Sequence, residues 1–69
     1  MCLSVPGRIT KVDDDVATID YRVETRQAKL LEEGYGVGDY VIVQGGCVVM
    51  KVGAVEAERS LELYEETVR

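Results

Sequence analysis

The sequence contains no histidine, tryptophan or phenylalanine, and only one proline and two cysteines among its 69 residues. Without histidine the chain lacks the usual general base at neutral pH and one of the commonest metal ligands. Two cysteines are too few to form the four-ligand cage of a structural zinc site. The side chains that could act as catalytic groups or ligands are therefore carboxylates, tyrosines and two thiols.

Positive charge is also scarce, because 8 Lys and Arg stand against 13 Asp and Glu, for a net charge of -5. The chain lacks the cluster of lysines and arginines that would neutralise the phosphates of a nucleic acid, so nucleic acid is not an expected partner. No apolar run reaches about 18 residues, so no transmembrane helix and no membrane association are expected. A start at Met1-Cys2 without a charged and apolar leader favours a reducing cytoplasm.

The length and the 46% hydrophobic content predict one small folded domain spanning residues 1–69. A chain of this size buries only ~60% of its unfolded surface, and its core rarely supplies more than ~3–5 kcal/mol. A deep cavity would remove packing that the fold needs. We therefore expect a surface site rather than a buried pocket.

Five runs of residues have the composition of short strands and are bounded by turn-forming residues. The aspartates of residues 13–15 supply a hairpin turn between the first two runs, and Gln44-Gly45-Gly46 a tight turn between the last two. The third run is polar, as an edge strand or a solvated face would be. The predicted strands are Arg8–Asp13, Val16–Tyr21, Val23–Leu31, Asp39–Val43 and Cys47–Val52.

After Gly53 the apolar residues follow a helical period to about residue 67. We expect the helix to present one apolar stripe to the strands and to leave Val55 and Leu63 exposed, with Leu63 as a hypothetical partner contact. Together the elements predict a mainly β protein, a small five-stranded OB-like barrel with a C-terminal amphipathic helix. The predicted stripe is Ala54, Ala57, Leu61, Tyr64 and Val68.

The least ordinary segment is the N-terminus, where a thiol at position two precedes the turn Pro6-Gly7. Removal of Met1 would leave Cys2 with a free α-amine, which favours the thiolate and offers a second donor to a soft or borderline metal. An ordinary packed tail residue is an equal alternative. For Cys47, which lies in an apolar run, core packing is the favoured interpretation.

The run Met1-Cys2-Leu3-Ser4-Val5-Pro6-Gly7-Arg8 resembles the N-terminal signature of the HypC, HupF and HybG family of [NiFe] hydrogenase maturation chaperones. The run Val37-Gly38-Asp39-Tyr40-Val41-Ile42-Val43 resembles the central strand of that family. The resemblance extends over the whole chain, including its acidic C-terminal helix.

This resemblance implies a non-enzymatic chaperone that binds a HypD-like scaffold protein and the precursor of the hydrogenase large subunit. It implies that the chain helps to deliver the iron group Fe(CN)2CO, which binds transiently and not tightly to the isolated protein. Carried over by position, Cys2 is the essential thiol and the iron ligand within a complex, and Pro6 and Gly7 shape the segment that presents it. The residues expected to bind partners are Cys2, Leu3, Val5, Pro6 and Gly7.

The sequence departs from the family after the central strand. Gln44 stands where the family typically carries a histidine, and an amide is a poor iron ligand compared with imidazole. A histidine-assisted iron site is therefore not expected, although Cys47 is a conceivable second thiol.

Two other functions are compatible with parts of the sequence. An OB-like module for single-stranded nucleic acid could stack bases on its four tyrosines, although its acidic charge disfavours this function. A redox protein could cycle a Cys2–Cys47 disulfide, although the chain has no C-x-x-C motif. We expect a monomer that forms heterodimers.

Overall fold

A computed structural model describes residues 5–68 of the chain, and the side chains as far as residue 67. Five strands and one helix follow one another in the predicted order, which confirms the expected mainly β fold class. No helix among the described residues is long and apolar enough to cross a membrane. The elements are β1 (Gly7–Asp13), β2 (Val16–Asp20), β3 (Thr25–Leu30), β4 (Tyr40–Gln44), β5 (Cys47–Val52) and α1 (Ala54–Val68).

The five strands close into a barrel in the order β1-β2-β3-β5-β4. Strands β1, β2 and β3 form an antiparallel meander, and β4 and β5 form a second hairpin. The barrel closes on one side where β1 pairs with β4 and on the other where β3 runs parallel to β5. Each closing pair of strands has only two residue pairs in register, so both seams are short.

Both hairpins turn through two residues with the predicted turn chemistry. Asp14 adopts a left-handed backbone with φ 59°, which aspartate tolerates better than most residues. Gly45 and Gly46 have φ 60° and 78°, the two positive values that a type I′ hairpin turn requires. These turns fix the registers Asp13↔Val16 and Gln44↔Cys47.

The predicted start of the third strand at Val23 is wrong, because β3 begins at Thr25. A tight turn occupies the preceding residues. The Asp20 Oδ1 accepts the Arg22 backbone N–H at 2.8 Å, and Arg22 adopts φ 73°. The Tyr21 N–H then donates to the Glu24 carbonyl at 2.9 Å and closes the turn. Sequence patterning missed this turn because arginine is an uncommon residue in a left-handed conformation.

The core lies inside the barrel and is closed by one side of α1. Alternate residues of β2, Ala17 and Ile19, are completely buried, as expected for a strand with one face toward a core. From the helix, Ala57 and Leu61 are buried and Tyr64 packs at the margin. Ala54 is exposed, so the predicted stripe is wrong at its first residue, and the Val68 side chain lies outside the described residues.

Two further expectations concern single side chains. Val55 and Leu63 are 74% and 61% exposed, which confirms that they project away from the barrel. Cys47 is a free thiol that is only half-buried and is not a member of the core cluster. The core interpretation of Cys47 is therefore wrong: this residue begins β5 next to the exposed Gly45-Gly46 turn, where the barrel interior is ending.

Candidate functional site

The N-terminal segment is attached to one end of the barrel by its last three residues before Arg8. Val5 is half-buried and packs against the core, and Pro6 and Gly7 are buried. Gly7 begins β1 and pairs with Val41 of β4. The segment is therefore fixed to the body of the protein from Val5 onward.

A side chain at position 7 would collide with the core. A Cβ built on Gly7 would overlap the Ile19 Cγ2 atom and would lie 2.8 Å from the Tyr21 Cε1 atom. Tyr21 is itself only 1% exposed, so its ring has little room to move away. Glycine at this position therefore permits the close approach of β1 to β2.

Cys2 and Leu3 lie outside the described residues, so their predicted roles stay predictions. Cys2 precedes the anchored Val5 by three residues. A fully extended chain of that length reaches at most about 11 Å. The covalent chain therefore limits the distance between the Cα atoms of Cys2 and Val5 to this value.

A polar groove lies beside this segment, between the barrel end and α1. Its walls include Arg8, which follows Gly7, and Tyr40, which pairs with Arg8 across the β1–β4 seam. An Arg22 Nη2 atom donates to a Glu58 carboxylate oxygen at 2.6 Å, and the Tyr40 hydroxyl donates to the other oxygen of the same carboxylate. The hydrogen bond to Glu58 raises the pKa of Tyr40, because it favours the protonated phenol.

A second polar cluster fixes the far part of α1. Glu24 accepts a hydrogen bond from Arg26 at 2.8 Å and another from the Tyr64 hydroxyl at 3.2 Å. The Arg26 hydrogen bond is the main reason why the pKa of Glu24 lies below its usual value. Burial and the bond to Glu24 raise the pKa of Tyr64. Both clusters join the helix to the turn between β2 and β3.

The sequence alone does not predict these contacts, because glutamates that lie off the apolar stripe of a helix ordinarily face solvent. The i,i+4 pattern identifies Glu58 as off the apolar stripe but does not show that the β2–β3 turn brings Arg22 beneath it. The only signal for this contact in the sequence is Arg22 itself, a positive charge between the second predicted strand and the polar third one.

Gln44 lies at the opposite end of β4 from Tyr40, which adjoins the N-terminal segment. Four residues of strand separate the two positions by about 13 Å. Gln44 is exposed and faces Cys47 across the hairpin. The structure thus brings Gln44 and Cys47 together but places both away from the anchored part of the predicted site.

Within the part of the chain that the structure describes, no three Cys, Asp or Glu side chains are grouped so that they could hold a metal ion.

Three of the four tyrosines are not placed to stack bases on an open surface. Tyr21 is buried in the core. Tyr40 and Tyr64 donate their hydroxyls to Glu58 and Glu24, whose negative charge repels phosphate. The nucleic-acid alternative therefore receives no support from the arrangement of the aromatic side chains.

The fold and this segment together define a small OB-like barrel protein with an N-terminal signature fixed to β1. The HupF/HypC family model matches residues 1–64. The chain belongs to the HupF/HypC family.

Three curated relatives carry the name Hydrogenase maturation factor HypC. The protein of Helicobacter hepaticus is 35% identical over 96% of this chain and 80% of its own length. The protein of Cupriavidus necator is 36% identical over 100% of this chain and 79% of its own length. The protein of Azotobacter chroococcum is 39% identical over 96% of this chain and 81% of its own length.

Proposed function

We propose that this chain is a hydrogenase maturation chaperone that uses Cys2 to bind, in turn, a HypD-like scaffold and the precursor of the hydrogenase large subunit. It acts by binding and transfer and is not an enzyme. The proposal places the protein in a reducing cytoplasm, where its thiols stay free. Its cargo is the Fe(CN)2CO group, which reaches the [NiFe] centre of the precursor.

The observation that carries this proposal is the attachment of the N-terminal signature to the barrel. Val5 and Gly7 are packed into the end of the barrel, and Cys2 precedes Val5 by three residues in the sequence. In this proposal the thiol enters a cleft of a partner without any change in the barrel. The membership of the family and the names of the relatives support the assignment to hydrogenase maturation.

Iron binding is proposed only within a complex. A thiolate is a suitable iron ligand, but a single thiolate does not complete a coordination shell. The partner therefore supplies the remaining ligands in this proposal. Gln44 contributes none, because its amide is a poor iron ligand and lies at the other end of β4.

The experiment is an affinity purification from native cell extract with a C-terminal tag, so that the N-terminus stays free. Wild type is compared with Cys2→Ser and with Cys47→Ser, the matched control at the other cysteine. Mass spectrometry identifies the partners and elemental analysis measures iron.

We expect wild type and Cys47→Ser to retain both partners with iron, and Cys2→Ser to lose the partners or the iron. A Gln44→Ala variant should behave as wild type. Retention of partners and iron by Cys2→Ser contradicts the proposed role of the thiol. Absence of both partners from the wild-type sample contradicts the proposed function itself.

A further inference from the structure

A groove with an apolar floor lies where β1 and β3 end. Its apolar lining, here called the floor, consists of Val12, Leu30, Leu31 and Tyr35. Leu30 and Tyr35 pack partly against the core, whereas Leu31 is 63% exposed and Val12 is 37% exposed. A single exposed leucine is unremarkable, but here it adjoins three other apolar side chains in one concave surface.

The walls of this groove are held in place by the barrel. The Leu30 N–H donates to the Asp15 carbonyl at 2.6 Å and fixes the end of β3 against the first hairpin. Lys51 donates to the Gly34 carbonyl at 2.9 Å, and its Nζ lies 5.7 Å from the centre of the Tyr35 ring. A groove that is already ordered costs little conformational entropy when a ligand binds.

The rim of the groove is acidic. Four exposed carboxylates surround the floor: Asp14, Asp15, Glu32 and Glu33. Of these four carboxylates, only Asp15 has an ion-pair partner within the described part of the chain: Lys29 lies at 3.9 Å, and both side chains are 59% exposed. This differs from the other end of the barrel, where Glu58 is paired with Arg22 and Glu24 with Arg26.

We infer that this groove is a second docking surface, which binds a segment of a partner protein that carries one aliphatic side chain flanked by lysine or arginine. The aliphatic side chain covers Leu31 and Val12, and the basic side chains pair with the carboxylates of the rim. Charge complementarity selects this occupant. It disfavours a second copy of the chain, because each copy has a net charge of -5.

This surface goes beyond the proposed function, because it involves neither Cys2 nor the anchored residues of the N-terminal segment. Gly7 begins β1, and Val12 lies five residues further along the same strand. That spacing separates the two positions by about 17 Å. The chain can therefore hold one partner in the groove while the N-terminal segment engages another.

The test is a titration of the whole 15N-labelled chain, followed by NMR, with the acetylated and amidated peptide Gly-Lys-Arg-Leu-Lys-Arg-Gly. One control peptide has glycine in place of leucine, and another has glutamate in place of every basic residue. We expect the first peptide to shift the amides of Val12, Leu31 and Glu33, and added salt to weaken its binding. The control peptides should bind at least about tenfold more weakly.

Matched variants of the protein locate the binding. Leu31→Ser should weaken binding of the peptide about tenfold, whereas Leu63→Ser, at an equally exposed leucine of α1, should not change it. Glu32→Gln with Glu33→Gln should weaken binding roughly threefold to tenfold. Glu62→Gln with Glu66→Gln removes the same charge from α1 and should have no such effect.

Four results overturn the inference. The first three are equal binding of the leucine and glycine peptides, equal affinity of wild type and Leu31→Ser, and shifts centred outside the groove. The fourth is a set of shifts that depend on protein concentration without peptide, which would show that a second copy covers the groove. The titration is repeated with Cys2→Ala, which should bind the peptide as wild type does. Failure of the peptide to bind the groove would therefore not affect the proposed role of the Cys2 thiol. Disproof of that role would likewise not affect the binding of the peptide.

Discussion

Gly7 has no functional group of its own, and the fold requires it because neighbouring side chains leave no space for a β carbon. The sequence suggested that Pro6 and Gly7 shape the N-terminal segment, but it gave no physical reason for a glycine. The structure supplies one, because the β carbon of any other residue overlaps Ile19 and approaches Tyr21. The resemblance to a family identified the position, and only the packing explains it.

Replacing Gly7 with alanine should destabilise the protein. The added methyl group has to displace buried side chains, and overpacking of this kind costs about 1–3 kcal/mol. Urea denaturation measures the change in the free energy of unfolding. Gly36→Ala is the matched control, because a β carbon at Gly36 meets no atom within 4 Å and its φ is not positive. Equal denaturation midpoints for the two variants would refute the packing argument.

Asp39 should make stability depend on pH in acid. Its carboxylate accepts the Gly36 N–H at 2.9 Å and faces Lys51 at 3.3 Å. The backbone hydrogen bond is the main reason why the pKa of Asp39 lies below its usual value of 3.8. Because the folded state has the lower pKa, this contribution to stability is present above about pH 5 and is lost as the pH falls through the folded pKa.

The measurement compares melting temperatures of wild type and Asp39→Asn across this range. Wild type should be the more stable at pH 6, and the difference should shrink steadily below pH 4. Glu33→Gln, at an exposed carboxylate of the same connection, should show little difference at either pH. A gap between wild type and Asp39→Asn that is the same at pH 2 and pH 6 would contradict the assignment.

The strands and the helix were predicted well because apolar and polar residues alternate along them with the period that burial of one face requires. β2 alternates between buried and partly exposed positions, and the buried residues of α1 are spaced by four. Errors arose at the ends of elements. The start of β3 was misplaced because no repeating pattern marks the turn at Arg22, which two local hydrogen bonds hold. Ala54 was misassigned because the helix meets the barrel only after its first turn.

The attachment of α1 should depend mainly on Leu61. This side chain is 1% exposed, and truncation of a buried leucine to alanine costs about 2–5 kcal/mol. A core of this size rarely supplies more than about 3–5 kcal/mol in total, so Leu61→Ala should be largely unfolded at 37 °C. Circular dichroism would show the loss of helix.

Leu63→Ala is the natural comparison, because the same atoms are removed from the same helix at a side chain that is 61% exposed. Its free energy of unfolding should lie within about 0.5 kcal/mol of wild type. Similar losses of stability in both variants would mean that the helix is not held by the packing of its buried face.

For the molecule as a whole, the sequence predicted a small OB-like barrel but not the strand pairs that close it. The β1–β4 and β3–β5 contacts join segments that are distant in sequence, and no local pattern specifies their register. The acid-rimmed groove escaped prediction for the same reason, since it combines residues of β1, the β1–β2 turn, β3 and the connection that follows β3. The N-terminal part of the candidate site was identified from its sequence motif. The polar groove and its contacts to α1 could be identified only from the three-dimensional structure.

The short parallel contact between β3 and β5 makes the barrel unevenly protected against solvent. Only Lys29 and Leu30 are in register with β5, whereas β1 and β2 share five residue pairs. Local opening requires least free energy where the fewest interactions break. Native-state hydrogen exchange should therefore be faster at Lys29, whose N–H donates to the Gly46 carbonyl, than at Ile19 in the β1–β2 hairpin. A barrel with this distribution of protection opens first at the seam between β3 and β5, and uniform exchange rates around the barrel would show that it opens as one unit.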